Sequence, residues 1–376
     1  MSATANPVAL RASLKAALDG AAPVVLGASP SVAVPDDVAL VLRTSGSSTG
    51  VGRPVALTAR ALLASADATH ERLAGPGRWV LALPPTHVAG VQVLVRSVRA
   101  GLDPVLVPPG PFDPHLLADV LLGAPADAPL YLSLVPTQLH RALAAGGHAL
   151  DALTRCSAVL LGGAATGVVD LARARDAGVP VVTTYGMTET SGGCVYDGVP
   201  LPAAQVRIRE GRVLLSGPML AHGYLDSGPQ PFEHEDGRRW FVTADAGELI
   251  DGRLHVHGRV DDVIVTGGVK VHPAHVERLL EPVVGEAIVV GVPDPEWGAV
   301  LTAVVTREVS VAEVRDAVGH GPTAPRAVVA VADLPTRGPG KPDRRAALSL
   351  ATATLLPPPA VTQVPHIRKG GDSGPT

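Results

Sequence analysis

The sequence predicts an α/β protein in which a large unit of alternating strands and helices precedes a smaller α+β unit. Short β-branched runs alternate with Ala/Leu/Arg helical stretches over much of the chain, the pattern of a parallel sheet covered by helices. From about 195 to 257 the texture shifts to short strands cut by Gly, Pro and acidic turns. At 376 residues, the chain is also longer than a single core usually organises.

The elements follow in order. Residues 38–42 read as a strand. The Thr58 hydroxyl can accept an orphan first-turn N–H and so start a helix running to about Leu73. A buried strand over 79–83 leads to an apolar helix over 88–100. Strand-like runs at 105–107, 130–135, 158–161 and 179–183 enclose helices at 114–123, 137–144 and 167–177. Short strands at 206–208, 213–216 and 254–257 suggest a barrel-like or antiparallel subregion. A new unit starts near Gly258. Its first helix is marked by Pro273 at a first-turn position and a Val276/Leu279/Leu280 stripe, and Ser310 with Glu313 is a capping-box signature for its second. Strands at 287–290, 300–305 and 328–331 and a basic turn at 336–341 complete it. The expected division is 1–257 large domain, 258–261 hinge, 262–356 small mobile domain, and 357–376 a Pro/Gly/Ser-rich flexible tail.

With 31 basic and 35 acidic residues, a net charge of -4 and no long basic run, nothing favours nucleic acid or an anionic membrane as partner. Cys156 and Cys194 are too few for a disulfide scaffold or a structural zinc site and read as buried thiols. Arg11, Lys15 and Asp19 interrupt the first thirty residues, so no signal-peptide core forms there. The apolar stretches 80–85 and 158–161 are too short to span a bilayer. A soluble protein in a reducing, cytoplasmic setting is expected.

Three local patterns carry chemistry. Thr44-Ser45-Gly46-Ser47-Ser48-Thr49-Gly50-Val51-Gly52-Arg53-Pro54 follows a strand. Its glycines permit tight turns, its hydroxyls and N–H groups can meet phosphate oxygens, and Arg53 can add positive charge. Taken alone it is also an ordinary Ser/Gly loop, and it lacks the Gly-Lys-Ser/Thr ending of a P-loop. Tyr185-Gly186-Met187-Thr188-Glu189-Thr190 lies just beyond a strand, where open α/β sheets bind ligands. There Tyr185 can stack on a base, Thr188 can bond phosphate and Glu189 can hold Mg²⁺, though taken alone the pattern is slightly better explained as a structural turn. Gly258-Arg259-Val260-Asp261-Asp262, followed by Gly267-Gly268-Val269-Lys270, reads either as a functional turn or as a salt-bridged one.

Together with Leu83-Pro84-Pro85-Thr86-His87, Asp245 and Gly338-Pro339-Gly340-Lys341, these stations resemble, in order and over nearly the whole chain, the adenylate-forming superfamily of acyl-CoA synthetases, luciferases and peptide-synthetase adenylation domains. The resemblance implies roles. Thr44, Ser45, Gly46, Ser47, Ser48, Thr49 and Gly50 would embrace the ATP phosphates, with Arg53 assisting the outgoing pyrophosphate. Gly162, Gly163, Ala164, Tyr185 and Gly186 would border the adenine, while Thr188 and Glu189 would meet phosphate and Mg²⁺. Asp245 would bind ribose hydroxyls and Arg259 ribose or phosphate. Asp261 would be the hinge between half-reactions, Gly267, Gly268 and Lys270 would serve the pose that admits coenzyme A, and Lys341 would contact the reacting carboxylate.

Within the superfamily the chain is most similar to the o-succinylbenzoate–CoA ligases of menaquinone biosynthesis, through Leu83–Gly90, Val95-Arg96-Ser97, 133–139 and Leu160-Leu161-Gly162-Gly163-Ala164-Ala165. That resemblance implies an aromatic dicarboxylate, ATP and coenzyme A as substrates. His87 would gate the acyl site, Val88, Gly90 and Gly192 would line it, and Arg96, Ser97, Thr137 and Gln138 would compensate the second carboxylate. A medium-chain or aryl-CoA ligase, a carrier-protein-loading enzyme and a non-catalytic nucleotide binder are the alternatives. Two departures stand out. The loop ends Gly52-Arg53-Pro54-Val55 where the family has Gly-x-Pro-Lys, and a long stretch before it is missing, which makes a homodimer an expectation.

Overall fold

The computed structural model describes residues 6–27, 30–44, 52–321, 323–337 and 341–356, for Arg337 and Lys341 the backbone alone. The tail expected over 357–376 lies outside them. Among the described residues the strand–helix alternation builds a sheet in the order Val199–Pro200, Gly192–Tyr196, Val181–Met187, Ala158–Leu161, Leu130–Leu134, Arg78–Leu81, Val105–Leu106. Its strands from Val181–Met187 to Val105–Leu106 run parallel, and Gly192–Tyr196 turns back antiparallel. Successive side chains on a strand face opposite ways, and the packing follows that period. Trp79, Leu81, Tyr131 and Leu160 enter one core with Val91, Leu94 and Val95 of the helix Val88–Ala100. Val80, Leu132, Val159 and Leu161 enter a second core with Leu117, Leu121, Leu139 and Leu153 from the helices of the other face. Both faces are therefore covered, which is what parallel strands with continuous apolar runs require.

A second sheet, ordered Val24–Leu26, Val38–Arg43, Pro54–Thr58, Gly223–Tyr224, holds the glycine- and serine-rich loop. Val38–Arg43 and Pro54–Thr58 are antiparallel, so the loop connects the two arms of a hairpin. Thr58 caps the helix Ala59–Arg72 as its sequence predicts, its hydroxyl accepting the Ala61 N–H at 3.0 Å. The 195–257 region is antiparallel, with Gln205–Arg209, Arg212–Ser216, Phe232–Glu235 and Arg253–Arg259 arranged around a 13-residue strand, Arg238–Ile250. That central strand has no clear apolar alternation because Thr243-Ala244-Asp245-Ala246-Gly247 interrupts it. Its pairing shifts register at Ala246/Gly247.

Beyond residue 263, two apolar clusters draw all their buried members from 271–351. They pack the strands Ala287–Asp294, Gly298–Val305 and Ala327–Ala330 against the helices Pro273–Val284, Val311–Val318 and Arg344–Leu355. The chain is thus a mixed α/β protein with a larger N-terminal and a smaller α+β C-terminal part. Pro273 occupies the first turn as expected, and Ser310 and Glu313 form the capping box. The predicted stripe is corrected at Leu279, which is exposed while Val276 and Leu280 are fully buried. Three helices escape the sequence reading: Pro7–Leu18, capped by Asn6; the short Gly147–Leu153; and Arg344–Leu355, whose Ala/Ser/Thr composition shows little apolar periodicity.

Candidate active site

The base of the Ser/Gly loop is closed by its own backbone. Thr44 N–H donates to the Arg53 carbonyl and Arg53 N–H donates to Thr44 Oγ1, each at 2.9 Å. A Cβ on Gly52 would stand 1.9 Å from the Thr44 carbonyl oxygen, so this close approach requires glycine. Ser45, Gly46, Ser47, Ser48, Thr49 and Gly50 lie outside the described residues. Arg53, expected at the outgoing pyrophosphate, is engaged within the protein. Its guanidinium grips both carboxylate oxygens of Asp226 at 2.8 and 2.5 Å, donates to Pro229 O at 2.9 Å and lies 3.7 Å over the Tyr224 ring. The carboxylate is the reason: a bidentate fork of this kind outcompetes solvent for the arginine.

Tyr224 joins this cluster to the Tyr185–Thr190 station. It lies on the short strand Gly223–Tyr224 with Val55 as its cross-strand partner, one strand over from the loop base. Its hydroxyl donates to Glu189 Oε1 at 2.5 Å. Glu189 sits in the 3-10 turn Thr188–Thr190, 7% exposed. Burial raises its pKa, while the Tyr224 hydroxyl and the Arg53 charge pull it down. Tyr185, Gly186 and Met187 are the end of the strand Val181–Met187 rather than the turn after it, because the antiparallel Gly192–Tyr196 extends the ladder.

The Tyr185 hydroxyl donates to Asp245 Oδ2 at 2.7 Å, and burial with that carboxylate beside it raises its pKa well above the usual value. Asp245 is aligned by its own N–H on Thr243 Oγ1 at 3.0 Å and stands opposite Arg259 across the Arg238–Ile250/Arg253–Arg259 ladder. The structure thus gathers Tyr185 and Glu189, from one short segment, with Asp245 and Arg259 from further along the chain. Gly162 and Gly163 follow the parallel strand next to Tyr185, and a Cβ at 162 would meet Thr184 Oγ1 at 2.5 Å. Ala164 is exposed in the same loop and Thr188 half-buried at the head of the turn. Among the described residues no three His, Cys, Asp or Glu side chains form a metal cage.

A family model for AMP-binding enzymes matches residues 4–225, and one for the AMP-binding enzyme C-terminal domain matches residues 279–341. The chain belongs to the AMP-binding enzyme family. It is 44% identical over 335 residues to the probable 2-succinylbenzoate–CoA ligase of Mycobacterium tuberculosis, 83% of this chain and 84% of that one. To the 2-succinylbenzoate–CoA ligase of Salmonella typhimurium it is 36% identical over 275 residues, 70% of this chain and 56% of that one. The solved o-succinylbenzoate CoA synthetase of Bacillus subtilis, in complex with the acyl-adenylate intermediate OSB-AMP, superposes with a TM-score of 0.72 at 27% identity, over 84% of this chain and 70% of that one.

In this AMP-binding enzyme the residues expected around the acyl group divide. His87 is exposed at the N-cap of the helix Val88–Ala100. Val88 and Gly192 do meet, since a Cβ on Gly192 would stand 3.3 Å from Gln92 Cγ and 4.0 Å from Val88 Cγ2. Arg96 lies on the same helix, 4% exposed, its guanidinium over the Trp79 ring and 3.3 Å from the Tyr196 hydroxyl, with Nε unpaired. Three more of these residues carry local structural contacts. Ser97 donates within its helix to Val93 O at 2.8 Å, so its hydroxyl is already used. Gln138 accepts the Val135 N–H at 3.1 Å and donates to Ala82 O at 3.2 Å, tying a helix start to a strand end. Gly90 is a packing glycine: a Cβ there would be 2.3 Å from Pro84 O. Thr137 is half-buried in the first turn of the helix Pro136–Ala145.

In the C-terminal part, Asp261 lies in the 3-10 turn Val260–Asp262 and is held by Arg259 at 3.2 Å. Gly267 and Gly268, with φ of 54° and 81°, form the two-residue turn between Ile264–Thr266 and Val269–Val271, and Lys270 is exposed beside them. Lys341 pairs by backbone with Arg337 in the hairpin Thr336–Arg337/Lys341–Pro342. Glu281 accepts the N–H groups of Val168 and Val169 at 2.8 and 3.2 Å, capping the helix Val168–Asp176 that follows the Gly162–Gly163 loop. Sequence reasoning misses Tyr224, Asp226, Gln92 and Glu281, whose partners lie far away in the chain, and also Thr243, which meets its near neighbour Asp245. The Gly223-Tyr224 pair beside a Pro- and Gly-rich turn is the faint local signal for the first two.

Proposed function

We propose that this AMP-binding enzyme joins 2-succinylbenzoate to coenzyme A through an acyl-adenylate, consuming ATP and releasing AMP and pyrophosphate, as a step of menaquinone biosynthesis. The observation that carries the reading is the assembled edge Glu189–Tyr185–Asp245–Arg259 in a chain 44% identical to a probable 2-succinylbenzoate–CoA ligase. A substrate carboxylate oxygen attacks the α-phosphorus of ATP, and the bond to the β-phosphate bridging oxygen breaks. The coenzyme A thiolate then attacks the acyl carbonyl and AMP leaves with the electron pair of its bond. No protein nucleophile is needed.

Asp245 suits two ribose hydroxyls, because an ionised carboxylate has acceptor sites beyond the one given to Tyr185. The Tyr185 ring and the Gly162–Gly163 loop border the base, and Arg259 and Thr188 meet phosphate oxygens. Glu189, a hard oxygen donor among expected phosphates, fits Mg²⁺, which when bound supplies charge neutralisation for the departing pyrophosphate. Lys341 places a compact cation at the reacting carboxylate, and Arg96, a desolvated cation on the helix that begins at Val88, compensates the second carboxylate. Asp261 is the hinge about which the C-terminal part turns between half-reactions, with Gly267, Gly268 and Lys270 facing coenzyme A in the second pose. Among the described residues no helix is long and apolar enough to cross a membrane. We place the enzyme in the cytoplasm, where its three substrates meet.

The test is pyrophosphate release across a panel of acids, followed by thioester formation with coenzyme A. Strong preference for 2-succinylbenzoate is expected. A preferred monocarboxylate, or acyl transfer to a carrier protein instead of coenzyme A, overturns the reading.

A further inference from the structure

We propose that Tyr224 is a positioning residue for Glu189 and that Arg53, with Asp226, acts on the cation–nucleotide site through Tyr224 rather than by touching phosphate. This rests on the reading of Glu189 as the carboxylate that meets the divalent cation of the nucleotide complex. The Tyr224 O–H bond to Oε1 fixes one oxygen of Glu189 and thereby the direction of the other. A carboxylate that must hold a cation gains from such an outer partner, since a wandering side chain would have to be ordered on each binding event.

Tyr224 is itself held from every side. Its N–H donates to Gln230 Oε1 at 2.9 Å and its carbonyl accepts Gln230 Nε2 at 3.0 Å, so one side chain binds both its backbone groups. Its backbone pairs with Val55 on the strand that returns from the Ser/Gly loop. The Arg53 guanidinium covers one ring face at 3.7 Å, a distance at which a cation attracts the ring quadrupole. Arg53 is locked in turn by the Asp226 fork and Pro229. A basic residue near the end of a phosphate loop would ordinarily be read as a phosphate contact. Here Nε–H and one N–H of each terminal nitrogen go to Asp226 and Pro229, and the charge lies against Asp226 and the ring. The chain Asp226–Arg53–Tyr224–Glu189 links the loop base to the cation carboxylate, so the base and the carboxylate orientation are set together.

The experiment is equilibrium binding of ATP by calorimetry, with Mn²⁺ as the spectroscopic stand-in for Mg²⁺ and, separately, in excess chelator. Bound Mn²⁺ is counted by electron paramagnetic resonance. Tyr224→Phe, which removes only the hydroxyl, is expected to weaken Mn²⁺·ATP binding roughly tenfold or more, the usual scale for losing an outer partner of a metal ligand. ATP binding in chelator should stay at the wild-type level. Arg53→Met should give a smaller loss in the same direction, partly restored by Arg53→Lys, which keeps a cation over the ring. Equal losses with and without Mn²⁺ would make Tyr224 a structural or nucleotide contact and overturn the proposal, as would a Tyr224→Phe chain that binds Mn²⁺·ATP like wild type. Wild-type binding that ignores Mn²⁺ overturns it together with the role given to Glu189. An acid panel that selects another carboxylate sinks the substrate reading alone and leaves these binding results standing.

Discussion

Lowering the pH should destabilise the large α/β core through one histidine, His70. It is 5% exposed on the helix Ala59–Arg72, and its Nε2 accepts the indole N–H of Trp79 at 3.2 Å, which it can do only when neutral. Burial, and then the positive charge of Arg96, pull its pKa from 6.5 down to about 4, with Arg99 adding to that pull and Asp67 opposing it. Because the folded pKa lies below the unfolded one, the unfolded chain takes up the proton first as pH falls. The contribution is therefore present above about 6.5 and disappears progressively toward pH 4. The gap corresponds to about 3 kcal/mol at roughly 1.4 kcal/mol per pKa unit, of which roughly 2 kcal/mol is lost between pH 7 and pH 5. Urea unfolding followed by tryptophan fluorescence over that range should show this slope in the wild type. His70→Gln should lack it, with other titrating groups common to both chains and cancelling in the difference. Arg96→Met should flatten the slope in part, since it removes one of the two main causes. Parallel pH curves for wild type and His70→Gln would refute the reasoning.

Other outcomes follow from single contacts. Gly52→Ala must move the Thr44 carbonyl and should destabilise by about 1–3 kcal/mol, seen in thermal unfolding, with weaker ATP binding by calorimetry; an unchanged pair of measurements counts against the tight loop base. Glu281→Ala removes a charged cap worth about 1 kcal/mol from the helix Val168–Asp176, which should shift the balance between the two half-reactions roughly fivefold in single-turnover assays. An unaltered ratio would show that this contact does not bias the domain pose. Lys341→Ala should fold normally yet lose about 10²-fold or more of adenylation rate, while thioester formation from supplied acyl-adenylate suffers much less. Equal losses in both halves would defeat the role given to that lysine.

The sequence by itself determined the layered α/β plan, because strand and helix periods are local properties. The runs at 130–135 and 158–161 and the apolar helix Val88–Ala100 announce their own faces. It also determined the Thr58 and Ser310 caps, whose partners lie within a few residues, and it marked Tyr185–Glu189 as a continuous station of chemistry. What each polar group spends its bonds on was decided only by tertiary structure. Arg53, Ser97 and Gln138 look free in sequence, but Asp226, the Val93 carbonyl and the backbone at Ala82 and Val135 claim them. Tyr224 carries no local mark, yet it holds Glu189 from a distant part of the chain. Periodicity fixes which side of an element is apolar, whereas hydrogen bonds are claimed by whichever partner the folded chain brings within about 3 Å, and that proximity is not a property of any short segment.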